Sequence, residues 1–100
     1  MSEKDEASIE GLEQEVFKAL ENQKRRDVLR LIGERRGVTF TDILNTSKIP
    51  DSPTLSYHLR ALAPFVEQRD GKYYVSQIGK DAYSLLLKTA TYGKVAAASA

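Results

Sequence analysis

The sequence predicts a mainly α-helical fold with one small β-hairpin, and three observations support this prediction. Apolar residues recur with the 3.6-residue spacing of amphipathic helices in both halves of the chain. Pro50 and Pro64 bound a short helical segment, since neither can continue a helix. After Pro64 the spacing changes to the two-residue period of strands on either side of Asp70-Gly71. We therefore expect several helices followed by a hairpin and a last helix.

Composition limits the kind of protein this is. The chain has 100 residues, of which 41% are hydrophobic, so we expect one domain over residues 1–100, with frayed ends at 1–7 and 95–100. It has no cysteine and a single histidine, His58, so neither disulfides nor a metal or cofactor site is expected. No apolar run approaches the roughly 20 residues that span a bilayer, and the start Met1–Glu6 is acidic. We expect a cytoplasmic protein.

The first two helices follow from their apolar stripes. The first is predicted from about Ser8 to Glu21, and the second begins near Gln23. Arg35 and Arg36 occupy the last turn of the second helix, and Gly37 stands where a left-handed cap is favoured. The stripe of the first helix consists of Ile9, Leu12, Val16, Phe17 and Leu20.

Two short helices follow in the middle of the chain. The run Val38–Phe40 is β-prone and is predicted to join the later hairpin as a minor third strand. A third helix carrying Ile43 and Leu44 starts from an N-cap within 39–42 and ends before Ile49–Asp51. The fourth is predicted from Ser52, as N-cap, to about Ala63.

The fourth helix has two different sides. Its apolar residues Leu55, Leu59 and Leu62 lie on one stripe, which predicts a buried back. Hydroxyl groups and one guanidinium lie opposite, and such groups suit base edges and phosphates. Two short helices joined by a tight turn form a helix-turn-helix, so this helix is predicted to be the recognition helix. Its polar side consists of Thr54, Ser56, Tyr57 and Arg60.

The hairpin completes the pattern of a winged helix. Strands at 66–69 and 72–75 flank Asp70-Gly71, a strong signal for a primed turn. Alternation predicts Tyr73 inward and Tyr74 exposed near the DNA, with Arg69 at the tip. Ser76 then caps a last helix that runs toward Tyr92. The predicted order is α-α-[β]-α-α-β-β-α.

Three segments carry a resemblance to a known family: Ala19–Leu29, with its paired arginines, Ser52–Leu62, and Gly71–Val75 with Gly79 following. In this order and spacing the chain, from about Phe17 to Leu87, resembles the ArsR-like winged-helix transcription regulators, of the archaeal and bacterial type without metal-sensing cysteines. The family's cysteine motif would fall on the third helix, where this chain has Ile43-Leu44-Asn45-Thr46, so metal sensing is not expected.

The resemblance implies a homodimer that places two recognition helices in successive major grooves, with the wings on the backbone or minor groove. Arg25 and Arg26 match basic positions of the family and either contact phosphate or tie down the fold by ion pairing. Matching positions make Ser52, Thr54, Ser56, Tyr57 and Arg60 the groove-facing set and Arg69 and Lys72 the wing contacts.

Several side chains allow two interpretations. His58 lies at the edge of the buried stripe and is either a packed histidine or a DNA contact. Arg69 and Lys72 either contact DNA or are charges that keep an exposed strand soluble. The predicted DNA-binding set is Ser52, Thr54, Ser56, Tyr57, His58, Arg60, Arg69, Lys72 and Tyr74.

Dimerisation through the terminal helices is predicted from surplus apolar surface. Leu85, Leu86 and Leu87 are consecutive, so a helix cannot turn all three toward one small core. Two-fold pairing of two chains would bury the remaining apolar side chains, although the first helix of the same chain could also bury them. The predicted interface consists of Ile9, Leu12, Val16, Leu20, Leu85, Leu86 and Ala90.

Charge is distributed unevenly, although the formal net charge is only +1. Seven acidic and two basic residues precede Asn22, whereas thirteen basic and seven acidic residues follow from Gln23 onward. The positive part contains the recognition helix, which favours a sequence-specific regulator that binds double-stranded DNA as a homodimer. The alternative is a winged-helix module that binds another protein without specific DNA binding. An enzyme is not expected, because His58 has no evident catalytic partner.

Overall fold

The fold is built from five helices and three short strands in the part of the chain described by the structure, a computed structural model. It describes the backbone of residues 3–99 and the side chains of residues 11–90. The expected fraying of 1–7 and 95–100 falls on residues whose side chains lie outside this range, and it stays a prediction. The elements are α1 (Glu3–Leu20), α2 (Gln23–Glu34), β1 (Val38–Thr39), α3 (Phe40–Thr46), α4 (Ser52–Ala61), a 3₁₀ turn (Ala63–Phe65), β2 (Val66–Arg69), β3 (Lys72–Val75) and α5 (Gln77–Ser99).

This order confirms the predicted mainly helical fold with a small antiparallel sheet. Both terminal helices are longer than their periodicity indicated: α1 begins at Glu3 rather than Ser8, and α5 ends at Ser99 rather than near Tyr92. The added segments contain no proline, and helix-forming residues such as Glu, Lys and Ala dominate them. An apolar stripe therefore underestimates the length of a helix that has good formers at its ends.

The two arginines at the start of α2 hold α1 against it. Asn22 caps α2 by accepting a hydrogen bond from the Arg25 backbone N–H at 3.2 Å. The Arg25 guanidinium donates to the Lys18 carbonyl at 3.0 Å, and the Arg26 guanidinium donates to the Leu20 carbonyl at 2.6 Å. Both side chains thus satisfy carbonyls in the last turn of α1 that have no helical partner. Among the described side chains, the pair therefore ties down the fold, although through hydrogen bonds to carbonyls and not through the ion pairs that were expected.

Helix α2 lies at the centre of the core. Its Val28, Leu29 and Ile32 are almost fully buried, and α1, α3 and α5 all contact it. Gly33, inside α2, allows α5 to approach closely: a Cβ at this position would overlap the Tyr83 ring of α5 and lie 2.6 Å from its Cγ. The remaining core residues are Ala19, Leu31, Val38, Ile43, Ile49, Leu55, Leu62, Phe65, Ala82 and Leu86.

The helix-turn-helix forms where it was predicted, with one correction to its capping. The N-cap of α4 is Asp51 rather than Ser52, which is the first helical residue. The Asp51 backbone is extended, and its carboxylate accepts hydrogen bonds from the Thr54 N–H at 2.8 Å and the Thr54 hydroxyl at 2.6 Å. A carboxylate at the positive end of a helix is stabilised more strongly than a hydroxyl. Helix α4 ends at Ala61, and Pro64 lies inside the 3₁₀ turn that follows.

The wing is a three-stranded antiparallel sheet in the order β1-β3-β2. Val66 pairs with Val75 and Arg69 with Lys72, so the turn is Asp70-Gly71 as predicted. Both turn residues have positive φ, 51° and 76°, which is the pattern of a type I′ turn. The minor third strand is also confirmed, because Val38 of β1 pairs with Tyr73.

The base of the wing is closed by the first turn of α5. The Ser76 hydroxyl accepts a hydrogen bond from the Gly79 N–H at 3.0 Å and donates to the Pro64 carbonyl at 2.8 Å. Gly79 is buried against the Phe65 backbone: a Cβ there would overlap the Phe65 carbonyl oxygen and lie 2.9 Å from the carbonyl carbon. Only glycine therefore permits α5 to start this close to the 3₁₀ turn.

Candidate nucleic-acid interface

Helix α4 separates a buried side from an exposed side. Leu55 within the helix and Leu62, which directly follows it, are fully buried. Tyr57 is 53% exposed, and Arg60 is also exposed. Ser52 is also exposed, while Thr54 and Ser56 are half-buried on the same helix. The helix is therefore held by its leucines and presents a phenol and a guanidinium to solvent.

A cluster in which Arg25 and His58 are buried and Tyr57 is partly exposed supports α4. The Arg25 side chain is 6% exposed, and its Nε donates to Nδ1 of His58 at 3.3 Å. The Arg25 guanidinium lies 5.4 Å from the Tyr57 ring centroid, in cation–π geometry, and the Tyr57 and His58 rings meet edge to face at 5.7 Å. Since Arg25 also binds the Lys18 carbonyl, one side chain connects α1, α2 and α4.

His58 is part of this cluster rather than of the exposed surface. Its side chain is among the buried polar residues, which is the packed interpretation that the sequence left open. Burial lowers the pKa of His58 below its usual 6.5, and the adjacent Arg25 charge lowers it further. Nδ1 accepts the Arg25 hydrogen bond, so the neutral imidazole carries its proton on Nε2.

A groove of about 500 Å³ opens beside the exposed residues of α4. Tyr57 and Arg60 of α4 line it together with Glu15 and Lys18 of α1. The acidic helix α1 thus reaches the edge of α4, and Glu15 offsets part of the positive charge there.

The wing carries its cations on the face opposite the core. The Arg69 guanidinium stacks over the Tyr74 ring at 4.2 Å, and Lys72 is exposed across from Arg69. Tyr74 is half-buried, unlike the exposed side chain expected from strand alternation. Its ring lies under Arg69, and its hydroxyl approaches Gly37, where a Cβ would come within 2.7 Å. The absence of a side chain at Gly37 therefore lets the connection after α2 cover Tyr74.

The structure divides the predicted DNA-facing residues between two neighbourhoods. Tyr57 and Arg60 lie by the groove next to α1, whereas Arg69 and Tyr74 line a second groove together with Arg36 and other residues. The two grooves share no lining residue. The sequence predicts Arg35 and Arg36 in the last turn of α2, whereas α2 ends at Glu34 and both residues follow it. The pairing of β1 with β3 brings them beside the wing, and no local pattern indicates that approach.

The terminal helices expose apolar side chains. Leu12 is 41% exposed, Phe17 72% and Leu85 53%. Among the predicted interface residues, Val16 and Leu20 are half-buried against the core and Ala90 is exposed, while the side chain of Ile9 lies outside the described residues. Leu86 is only 5% exposed and packs in the core of its own chain.

The described residues provide neither a cluster of metal ligands nor a membrane-spanning helix. No three His, Asp or Glu side chains among them gather in a way that could hold a metal ion. None of the helices, within the same part of the chain, has the length and apolar character to cross a membrane.

A helix-turn-helix, a three-stranded wing and an exposed face on the second of the two short helices together define a winged helix-turn-helix protein. The family model described as "Domain of unknown function (DUF7347)" matches residues 13–86, and the chain belongs to this family. Among solved structures, that of ligand-free NadR is similar with a TM-score of 0.69, covering 93% of this chain and 73% of that one. The two chains are 18% identical, so this similarity concerns the fold. No curated protein matches the sequence.

Proposed function

We propose that this chain is a sequence-specific transcription regulator that binds double-stranded DNA as a homodimer in the cytoplasm, its 100 residues forming one winged-helix domain. Helix α4 would enter the major groove, and the wing would lie on the backbone or minor groove. One observation carries the proposal: α4 is anchored by buried Leu55 and Leu62 while it presents Tyr57 and Arg60 to solvent. The ArsR-like resemblance of the sequence supports the same function.

The proposed contacts are the exposed and half-buried members of the predicted set. Arg60 would read a base edge, since a guanidinium can bind guanine bidentately, and Lys72 would contact phosphate. His58 is left out of the direct contacts because it is buried, and we assign it the role of orienting α4 through Arg25 and Tyr57. The remaining proposed contacts are Ser52, Thr54, Ser56, Tyr57, Arg69 and Tyr74.

We further propose that the homodimer forms through α1 and α5. Leu12 and Leu85 provide the exposed apolar surface, which Ala90 and the half-buried Val16 and Leu20 would extend. Leu86 is omitted because its own core already buries it. A two-fold pair would place two copies of α4 where they can meet successive major grooves.

Selection of bound fragments from a random duplex pool tests the function. A palindromic consensus with half-sites about 10 base pairs apart is the expected result. Affinity measured by fluorescence anisotropy should fall steeply with salt, because bound cations displace counterions from phosphates. The proposal fails if the protein binds neither the selected duplex nor a random one at low salt.

A matched pair of arginine variants tests the role of α4. Arg60→Ala should cost about 1 to 3 kcal/mol of binding free energy and relax the consensus, because it removes a base contact. Arg30→Ala is the control: Arg30 pairs with Asp27 at 3.2 Å within α2 and belongs to neither α4 nor the wing. Lys72→Ala should weaken binding to all duplexes alike. Equal losses in the Arg60 and Arg30 variants would contradict the assignment.

A protein-docking module is the second candidate. The observation in its favour is the placement of Arg60 beside Glu15, in a groove separate from the one that Arg69 lines. A mixed-charge, partly apolar groove is typical of protein recognition, whereas DNA favours a continuous positive surface. Binding to any duplex that depends on Arg60 would exclude this candidate.

A further inference from the structure

A second groove, of about 720 Å³, lies between the end of α2, the wing and the first turns of α5. Four basic side chains line it and one acidic side chain accompanies them. All five are exposed, so their charged ends are free to turn toward the groove. The basic residues are Arg35, Arg36, Arg69 and Lys80, and the acidic one is Glu67.

These cations lack anionic partners. Among the described side chains, the one ion pair observed joins Arg30 to Asp27 on α2, and neither residue lines this groove. Arg69 stacks over the Tyr74 ring without an acidic partner among the described side chains, and Glu67 lies beyond ion-pair distance of every cation in the groove. Like charges gathered around one concavity repel each other, and a bound anion would remove that repulsion.

The groove has the form of a small-ligand site. Its volume falls within the range of roughly 300 to 1,000 Å³ that is usual for such sites. Tyr83, packed on Gly33, and Tyr74, covered by Arg69, give it half-buried aromatic walls. A DNA duplex is too wide to enter a groove of this size, so the concave shape favours a small anion over the backbone of DNA.

We propose that this groove binds a small, multiply charged phosphate, which the guanidinium groups of Arg35, Arg36 and Arg69 and the Lys80 ammonium hold. Guanidinium groups bind phosphate oxygens through two parallel hydrogen bonds, and a flexible ammonium adds a point charge. With four cations against Glu67, the groove matches an anion of more than one charge. The site goes beyond the proposed DNA contacts, because Arg35, Arg36 and Lys80 are not among them.

Calorimetric titration of the full chain with pyrophosphate and with inorganic phosphate, in the absence of DNA, tests the site. We expect saturable one-to-one binding, tighter for pyrophosphate because it carries more charge. Arg36→Gln combined with Lys80→Gln should weaken pyrophosphate binding by about tenfold or more, since it removes two charged hydrogen-bond donors. Lys48→Gln combined with Lys88→Gln removes the same charge from exposed positions outside the groove and should change the affinity by less than about twofold.

Two results would overturn the proposal. One is the absence of saturable binding by the unaltered protein; the other is an equal loss in both double variants, which would show attraction by net charge alone. Duplex binding by the same variants distinguishes a small phosphate from the phosphates of DNA. If the Arg36 and Lys80 changes weaken duplex binding while pyrophosphate does not bind, these cations contact the DNA backbone. All substituted side chains are exposed, so urea unfolding should show native stability for each variant. Because the titration contains no DNA, its failure is distinct from failure of the proposed function.

Discussion

Gly79→Ala should destabilise the protein, although alanine normally strengthens a helix. The added methyl group would overlap the carbonyl oxygen of Phe65 and lie 2.9 Å from its carbonyl carbon. Those atoms are backbone, and the same carbonyl accepts a hydrogen bond from the Ser76 N–H at 2.9 Å, so it cannot turn aside without breaking that bond. Overpacking of this kind costs about 3 kcal/mol. The helix propensity of alanine returns at most about 1 kcal/mol, which leaves a net loss of about 2 kcal/mol.

Two other glycines supply the comparison for this prediction. Gly11→Ala in α1 adds a methyl group with no atom within 4 Å, so it should be neutral or slightly stabilising. Gly33→Ala would meet the side chain of Tyr83, which can move more easily than backbone, so its cost should be intermediate. Thermal unfolding followed by circular dichroism measures all three, and a loss of about 2 kcal/mol corresponds to roughly 10 °C. A Gly79→Ala protein as stable as the unaltered protein would refute the reasoning.

Three further predictions concern the site and the proposed dimer. Because the pKa of His58 is lowered in the folded protein, the unfolded chain binds the proton at a higher pH than the folded chain does. The free energy of unfolding should therefore be highest above about pH 6.5 and fall as the pH drops below it. His58→Gln should flatten the pH dependence of the free energy of unfolding measured with urea, and the same pH dependence in both proteins would contradict this. Asp51→Ala should lower the urea midpoint by removing the cap on the Thr54 N–H, while Asp51→Asn should retain most of it, and equal midpoints would argue against the cap. Leu85→Glu should shift the mass measured by analytical ultracentrifugation toward that of the monomer. Ser84→Glu adds the same charge at an exposed neighbouring position and should leave the mass unchanged. If neither variant changes the mass, the dimer interface does not include Leu85.

Elements whose signal is contained in a few neighbouring residues were predictable. Asp70-Gly71 formed the hairpin turn, because both residues tolerate the positive φ that a type I′ turn requires. Leu55 and Leu62 became core because helical spacing alone places them on one side. The strand at Val38 and the cap by Ser76 followed from equally local chemistry.

Features that depend on how two elements of secondary structure pack against each other were harder to predict from the sequence. Asp51 and Ser52 are both good capping residues, and the extended backbone after Pro50 selected Asp51. Of the consecutive leucines, Leu86 is the one that α5 buries, while Leu85 is 53% exposed. The rotation of α5 about its axis determines which leucine faces the core, and it places Ala82 and Leu86 there, one helical turn apart.

The candidate site shows the same division. Periodicity was enough to identify α4 as a helix with a buried back and a polar front, because that distinction depends only on spacing along one helix. The pairing of Arg25 with His58, 33 residues away, and the gathering of Arg36, Arg69 and Lys80 around one groove required the folded chain. Side chains so far apart in sequence meet only when packing brings their helices and strands together, and no local pattern encodes that distance. Sequence therefore indicated the class of fold and the two-sided helix α4, whereas tertiary contacts decided which polar groups are buried supports and which are exposed.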